Sequence, residues 1–268
     1  MRVVTKIGLV GCGSIAREVL RAVDTGRLKV EVAGVTTRTE STAREFLATL
    51  SSEPPLISLE ALIQRSDLVI ELAGGHVVPE LAQRCFEANT ALMVISIGAL
   101  LDRPQIIDEA RARNRRLILP SGAIAGLDAI KSASAGRLDH VHMTSRKSPR
   151  ALSGAPFLVE RGISVDGMKE PLELFFGPAR EVVRGFPDNL NISAALSLAG
   201  VGPDRTMVRV ICDPSVTRNQ HHIEAEGDFG KLDIRIENIP SENPKTGRLT
   251  AMSIIRSIQD YTDPVRLA

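Results

Sequence analysis

The chain has 268 residues, a hydrophobic fraction of 43% and a formal net charge of +1. This length allows one large domain or two domains of ordinary size. The balanced charge argues against nucleic acid or an anionic membrane as a partner. No apolar run is long enough for a signal peptide or a membrane span. Aromatic residues make up only 3% of the chain, which argues against base-stacking platforms. The three cysteines are widely spaced, which argues against a disulfide framework and a cysteine zinc site and favours the reducing cytoplasm.

The first half of the chain alternates apolar runs with segments of helical spacing. Helices are predicted between the runs because apolar residues recur there every three to four positions. Strands are predicted at 7–10, 30–36, 67–73, 91–97 and 116–119, and helices at 15–23, 39–50, 77–89 and 103–114. This alternation predicts a parallel sheet with helices on both faces.

The pattern changes after Pro120, where a loop rich in glycine and alanine begins. Beyond it, apolar residues alternate with polar ones at period two, which predicts strands with one covered face. Strands are predicted at 205–211, 221–226 and 231–238, and helices at 127–135, 192–198 and 248–258. We predict an α/β protein in which residues 1–120 form one domain and residues 121–245 form a smaller α+β domain with a mixed sheet. Residues 246–268 are expected to return to the first domain.

A glycine motif lies between the first predicted strand and the first predicted helix. Gly11 allows a tight turn, Gly13 lets the backbone approach a pyrophosphate, and Ala16 permits close packing of helix and strand. The backbone N–H groups at the start of the helix, at Ser14 and Ile15, are suited to phosphate oxygens. The motif predicts a Rossmann-type dinucleotide-binding domain, with an ordinary glycine turn as the alternative.

The end of the second predicted strand bears on the choice of cofactor. The sequence there reads Thr36-Thr37-Arg38, where NAD-selective sites often carry an acidic residue. Arg38 is suited to pairing with the 2′-phosphate of NADP, or it is a solvated arginine at a loop edge. The cofactor is therefore predicted to be NAD or NADP.

Two adjacent histidines, His221 and His222, begin one of the alternating strands. His221 shares a face with Ile223, whereas His222 shares the other with Glu224, so His221 is predicted to point inward. An imidazole in a partly dry site transfers protons near neutral pH, although a structural histidine is the alternative. The alternation also separates the two rings, so no metal site is predicted.

Several stretches of the chain resemble the L-aspartate dehydrogenase family, in family order and over essentially the full length. They are GCGSIA at 11–16, SGAIAGLDA at 121–129, TSRKSP at 144–149, NLNISAALSLAGVGPDRT at 189–206, DPSVTRNQHHIEAEGDFG at 213–230 and IENIPSENPKT at 236–246. The resemblance implies a two-domain, homodimeric enzyme that interconverts L-aspartate with iminoaspartate, and so with oxaloacetate and ammonia. It also implies that iminoaspartate can feed NAD biosynthesis.

The resemblance assigns roles to individual residues. His221 matches the active-site histidine of the family, and Ala123 and Asn189 match residues that contact the cofactor. Ala16 stands where family members often have glycine. Thr37 stands where several have aspartate, which leaves the preference between NAD and NADP open.

A substrate with two carboxylates requires cationic and polar partners in the second domain. The candidates are Arg146, Lys147, Asn219 and Lys245, each within a resembling stretch. For the charged residues the alternative is a solvated loop position, and for Asn219 it is the capping of a turn. Lys245 is also a candidate for a second proton-transferring group, because desolvation lowers the pKa of a lysine.

Two other functions are compatible with the sequence. A related two-domain reductase for a cyclic imine or a semialdehyde would have the same fold, so the fold alone does not decide. A cofactor-sensing protein without turnover would keep the glycine motif and would not need His221.

Overall fold

The computed structural model describes residues 4–241 and 247–265 of the chain. These residues form two compact units. The first comprises residues 4–120 and 251–265, and the second comprises residues 121–241 and 247–250. Each unit is built around its own five-stranded sheet.

The sheet of the first unit is entirely parallel. Its strands are β1 (Lys6–Val10), β2 (Glu31–Thr36), β3 (Leu68–Glu71), β4 (Ala91–Val94) and β5 (Leu117–Ile118), in the order β2-β1-β3-β4-β5. Because β1 lies between β2 and β3, the direction of winding reverses at β1. Ligands of such sheets bind at the carboxyl ends of the strands beside this reversal.

In the segments between consecutive strands of this sheet, the described residues form six α-helices. They are α1 (Ser14–Asp24), α2 (Glu40–Leu47), α3 (Leu59–Arg65), α4 (Val78–Glu87), α5 (Gly98–Leu101) and α6 (Gln105–Ala112). A short 3₁₀-helix, Gly75–Val77, precedes α4. Helix α3 is absent from the sequence-based prediction, and its start is marked by Ser58, whose hydroxyl accepts a hydrogen bond from the N–H of Ala61.

Both faces of this sheet are covered. Ile7 and Leu9 are fully buried in a cluster that contains side chains of α1 and of the last helix, α12 (Arg248–Thr262). On the opposite face, a Cβ added to Gly8 would lie 2.8 Å from the Leu62 side chain of α3. A parallel sheet between two helical layers explains why its strands are apolar on both sides. The α/β fold predicted from the sequence is confirmed.

The sheet of the second unit is mixed. Its strands are β6 (Leu138–Lys147), β7 (Leu172–Pro178), β8 (Thr206–Cys212), β9 (Asn219–Gly227) and β10 (Gly230–Asn238), in the order β10-β9-β6-β8-β7. Only β6 and β8 run parallel, and the other neighbours are antiparallel. The helices of this unit are α7 (Leu127–Ala133), α8 (Pro149–Leu152), α9 (Pro156–Glu160), α10 (Ala179–Gly185) and α11 (Asn191–Ala199).

One face of the mixed sheet is buried beneath these helices. Helices α10 and α11 contact β8, and α11 also contacts α7. Buried residues alternate with exposed or partly exposed ones along β6, β8 and β9, as expected for strands with one covered face. The covered face is referred to below as the inner face and the other as the outer face.

Among residues 4–241 and 247–265, none of the helices combines the length and the apolar character that a bilayer span requires.

The last helix contributes directly to the core of the first unit. Ile254 and Ile258 of α12 are fully buried, whereas Met252 on the same helix is 59% exposed. We expect Ile258→Ala to lower the free energy of unfolding by about 2–5 kcal/mol, because the substitution leaves a cavity in the core. Urea denaturation followed by circular dichroism measures this change. Met252→Ala is the control and should stay within about 0.5 kcal/mol of the parent protein. Equal effects of the two substitutions would contradict the burial of Ile258.

Candidate functional site

The turn between β1 and α1 depends on Gly11. Its φ of +108° lies in the region that favours glycine, and an added Cβ would lie 2.6 Å from the carbonyl oxygen of Leu72. The N–H of Gly11 donates to the carbonyl of Thr36 at 2.8 Å. The turn is therefore fixed against the ends of β2 and β3.

The start of α1 presents free backbone donors to solvent. Gly13 occupies the N-cap position, no side chain caps the helix, and its first turn carries no acidic residue. An added Cβ at Gly13 would meet no atom within 4 Å, so the space beside its backbone is open. Ser14 and Ile15 are the first residues of the helix. Uncapped N–H groups and the positive end of the helix dipole favour an anionic group at this point.

An open cavity of about 380 Å³ extends from this turn along the carboxyl edge of the parallel sheet. It is lined by residues of the glycine turn, the end of β2 and the segment after β3, among them Gly11, Cys12, Gly13, Thr36, Thr37, Arg38, Thr39, His76 and Glu80. Glu80 is the only acidic residue in this lining and pairs with Arg84 at 2.7 Å. Arg38 has no ion pair within the described part of the chain.

A buried carboxylate orders the loops on this side of the sheet. Glu71, the last residue of β3, is fully buried and accepts hydrogen bonds from the N–H groups of Ala73, Gly74, Ile95 and Ser96 and from the Ser96 hydroxyl, at 2.7–3.2 Å. One side chain thus joins the loops that follow β3 and β4. Glu71 was not predicted from the sequence, because an acidic residue at the end of an apolar strand does not reveal its distant partners.

The groups along this edge fit a dinucleotide. The open space at Gly13, the free N–H groups of α1 and the hydroxyl and guanidinium groups after β2 provide the donors that phosphates and riboses require.

In the second unit, the inner face of the mixed sheet carries several buried polar residues. Asn219 and His221 on β9 and Ser145 and Lys147 on β6 have exposed fractions of 3% or less. Ser145 lies directly opposite His221 in the strand register. His222 points to the outer face and contacts Asp233 at 3.0 Å.

The inner-face groups are desolvated and only partly hydrogen-bonded. Burial, with a smaller contribution from the charge of Lys147, lowers the pKa of His221 to about 3, so its ring is neutral at physiological pH. Burial lowers the pKa of Lys147 to about 8. His221 Nδ1 and Ser145 Oγ are buried without a hydrogen-bond partner among the described residues. A neutral imidazole beside a buried amine is suited to proton transfer.

The other candidate substrate residues lie elsewhere. Arg146 follows the alternation of β6 onto the outer face and pairs with Asp213 at 2.6 Å. The Ser215 hydroxyl, together with the Arg146 guanidinium, lowers the pKa of Asp213. Arg146 therefore already has a counter-ion and does not join His221. Lys245 lies outside the described residues.

The two residues matched to cofactor contacts are held by structural hydrogen bonds. The carbonyl of Ala123 accepts a bond from Asn238 Nδ2 at 2.7 Å, and Asn189 Nδ2 donates to the carbonyl of Ala151 at 2.6 Å. Asn238 is a buried residue that the sequence analysis overlooked. Its place at the end of an alternating strand was the available signal.

Three side chains of the outer face lie close enough to ligate a metal ion in principle. The ligand atoms of His222, Glu224 and Asp233 lie within 4.8 Å of one another. Asp233 also pairs with Arg235 at 3.3 Å, and this cation competes for the same carboxylate. The cluster is therefore explained as a network of surface ion pairs.

Comparisons with known proteins assign both units to characterised families. The family model "Aspartate dehydrogenase, C-terminal" matches residues 128–261, and "Homoserine dehydrogenase, NAD binding domain" matches residues 11–120. The chain is 40% identical over 267 residues to an L-aspartate dehydrogenase of Methanocella arvoryzae, covering 98% of each chain.

Solved structures show the same fold at lower identity. The aspartate dehydrogenase of Thermotoga maritima matches with a TM-score of 0.74 and 21% identity, covering 98% of this chain and 99% of that one. The scyllo-inositol dehydrogenase of Lactobacillus casei, solved with NAD(H), matches with a TM-score of 0.57 and 15% identity, covering 96% of this chain and 88% of that one.

Substitutions of the two glycines in this turn should affect different properties, Gly13 the binding of NAD(P)H and Gly11 the thermal stability. Gly13→Ala should weaken NAD(P)H binding by about tenfold or more, because the methyl group enters open space beside the phosphate-binding backbone. Fluorescence titration measures this change, and the thermal midpoint should stay close to that of the parent. Gly11→Ala should instead lower the thermal midpoint, because its Cβ meets backbone. Unchanged NAD(P)H binding by Gly13→Ala would contradict the proposed position of the phosphates.

Proposed function

Because the chain belongs to the L-aspartate dehydrogenase family, we propose that it catalyses the NAD(P)-dependent oxidation of L-aspartate to iminoaspartate, and so to oxaloacetate and ammonia, together with the reverse reductive amination. The observation that carries the proposal is the similarity of sequence across both units. The fold alone would not suffice, because dehydrogenases for unrelated substrates share it.

The first unit would hold the cofactor through Gly11, Gly13 and the N–H groups of Ser14 and Ile15. When bound, NAD(P)⁺ supplies the acceptor for the hydride that leaves the substrate Cα. Arg38 would pair with the 2′-phosphate if NADP is bound, and the Thr36 and Thr37 hydroxyls would bind ribose oxygens. The resemblance adds Ala123 and Asn189 as further cofactor contacts.

His221 would handle the proton of the water that converts the imine into the ketone. Its neutral ring accepts that proton as water adds to the imine carbon, and the resulting imidazolium donates it to the departing amine. The sum is iminium ion plus water to ketone plus ammonium ion, because the carbinolamine hydroxyl gives its proton to the departing ammonia as the C=O bond forms. Burial keeps the ring of His221 unprotonated throughout the physiological range, so a ring nitrogen has a free lone pair to accept this proton.

The two carboxylates of the substrate require donors on the same face. Lys147 and Asn219 share the inner face with His221, and we propose that they bind substrate oxygens. Arg146 is less suited, because Asp213 already neutralises it on the outer face.

The cellular setting follows from chemistry and from the resemblance. A reducing compartment such as the cytoplasm suits the three free cysteines, Cys12, Cys85 and Cys212. By the resemblance, we propose that the protein acts as a homodimer and that its iminoaspartate supplies NAD biosynthesis.

Purified protein should oxidise NADH or NADPH when oxaloacetate and ammonia are supplied together, and reduce the oxidised cofactor with L-aspartate. His221→Ala should lower kcat by about 10²–10⁴-fold, the usual contribution of a general acid–base group, without changing NAD(P)H binding. The matched control is His222→Ala, which removes the adjacent ring on the outer face and should retain most activity.

Other outcomes of these assays would change the proposed function or the role of His221. Turnover with a cyclic imine or a semialdehyde in place of these substrates would identify the related reductase. Tight NAD(P)H binding without turnover of any of them would indicate a cofactor sensor. Full activity of His221→Ala with L-aspartate would leave the reaction in place and refute the role of His221.

The preference between the two cofactors should depend on Arg38. Arg38→Ala should weaken NADPH binding by about ten- to hundredfold, the loss expected for a charge-assisted hydrogen bond, and should leave NADH binding nearly unchanged. Fluorescence titration of both cofactors measures the two dissociation constants. Arg44→Ala is the control, because Arg44 lies on the exposed side of α2, paired with Glu40. No loss for either cofactor would identify Arg38 as a solvated arginine, and an equal loss for both would show that it binds a group common to NADH and NADPH; both outcomes contradict the proposed 2′-phosphate contact.

A further inference from the structure

Lys147 is a buried amine, and the proposed function so far assigns proton transfer to His221 and not to Lys147. It is the last residue of β6, lies on the inner face and is 2% exposed. Lysine is almost never buried to this extent without a paired charge. No carboxylate pairs with Lys147 in the described ranges 4–241 and 247–265.

The groups facing Lys147 explain why it is unpaired. Its partner in the register of β8 is Cys212, whose buried thiol has a pKa raised to about 11 and is therefore uncharged. Asp213 is adjacent, and its N–H donates to the carbonyl of Lys147, but its carboxylate is bonded to Arg146 and Ser215. Neither Cys212 nor Asp213 therefore directs a negative charge at the amine.

His221 is a further titratable neighbour of Lys147. The charge of Lys147 lowers the pKa of His221, so the amine and the ring lie within electrostatic reach of each other. Ser145, two residues before Lys147 on the inner face of β6, lies opposite His221 in the strand register, so Lys147 and His221 are diagonal neighbours. The Ser145 hydroxyl has no hydrogen-bond partner among the described residues. The two nitrogen groups thus form one desolvated site, in which neither is paired with a carboxylate of residues 4–241 or 247–265.

We infer, on the basis of the proposed function, that Lys147 is a second catalytic residue, which takes the proton from the substrate ammonium before hydride leaves and returns it during amination. In the forward step the N–H bond of the ammonium breaks and a new N–H bond forms on Nζ. The substrate amine then has a lone pair, which forms the C=N bond as the Cα–H pair departs to the cofactor. The product is the iminium ion, and the electrons balance.

The acid–base properties of the two groups support this division of roles. The neutral form of Lys147 is accessible near its pKa of about 8, and this amine is a stronger base than the more strongly desolvated ring of His221, so it is better matched to the substrate ammonium. After accepting the proton, the Lys147 ammonium becomes a cation well placed to bind a substrate carboxylate. His221 then acts only in the addition of water to the imine and in the reverse loss of water.

Three variants of the full chain test this role. The first two are Lys147→Arg, which keeps the charge and does not deprotonate, and Lys147→Met, which removes it. Lys131→Met on the exposed side of α7 is the control. The measurement is kcat/KM for L-aspartate as a function of pH. In the parent protein and in the control, kcat/KM should rise with pH through about 8, because only the neutral amine accepts the proton.

Both Lys147 variants should lose this rise and be about 10²–10⁴-fold slower above it. An arginine variant with near-normal kcat and an unchanged pH profile would show that Lys147 serves only as a cation, and would overturn the proposal. Methionine in place of a buried unpaired charge should not lower the thermal midpoint, which separates loss of catalysis from misfolding.

A second measurement does not depend on turnover. The chain has seven lysines, so ¹⁵N NMR of protein labelled at lysine Nζ, with Lys147→Arg for assignment, can titrate Lys147 individually. A pKa near 8 supports the proposal, and an ordinary lysine pKa overturns it. If the parent protein does not turn over L-aspartate, the proposed function fails whatever this titration gives. If it turns over L-aspartate and Lys147 titrates normally, only the inference about Lys147 fails.

Discussion

The carboxylate of Glu71 is the interaction on which the ligand-binding edge of the first unit depends. A charge withdrawn completely from water is tolerated only when hydrogen bonds replace its hydration, and five donors do so here. All five come from the segments after β3 and β4. Those segments are therefore tied to the end of a central strand before any ligand binds. The turn at Gly11 packs against the carbonyl of Leu72, the residue that follows Glu71, and the space beside Gly13 at the start of α1 is open.

In the second unit the governing constraint is the two-residue period of a β-strand. Adjacent histidines on β9 occupy opposite environments: His221 is desolvated and neutral, whereas His222 is partly exposed and paired with Asp233. The same period separates Lys147 from Arg146 on β6. A shift of one residue in the register of either strand would exchange these roles, which makes strand pairing in this sheet a determinant of chemistry as well as of stability.

The sequence supports prediction where the signal is local. The strand–turn–helix motif at Gly11, the alternation around His221 and the change of pattern at Pro120 each depend on residues close together in the chain. Glu71, Ser145 and Asn238 were not identified, because their roles depend on partners in distant segments. The faces of Arg146 and Lys147 were also not assigned. The stretch that contains them was recognised only by resemblance, and without its strand register the alternation could not be applied.

The position of α12 has a consequence for how the chain folds during synthesis. The first unit is discontinuous, since Ile254 and Ile258 complete a core whose other members lie within the first 93 residues. During synthesis, the amino-terminal segment therefore leaves the ribosome long before the residues of α12 that complete its core have been synthesised. Until then, the apolar surface around β1 and α1 stays uncovered, and the nascent protein is open to aggregation and to chaperone binding. Completion of this unit waits for the last helix, a contact of very large sequence separation that slows folding.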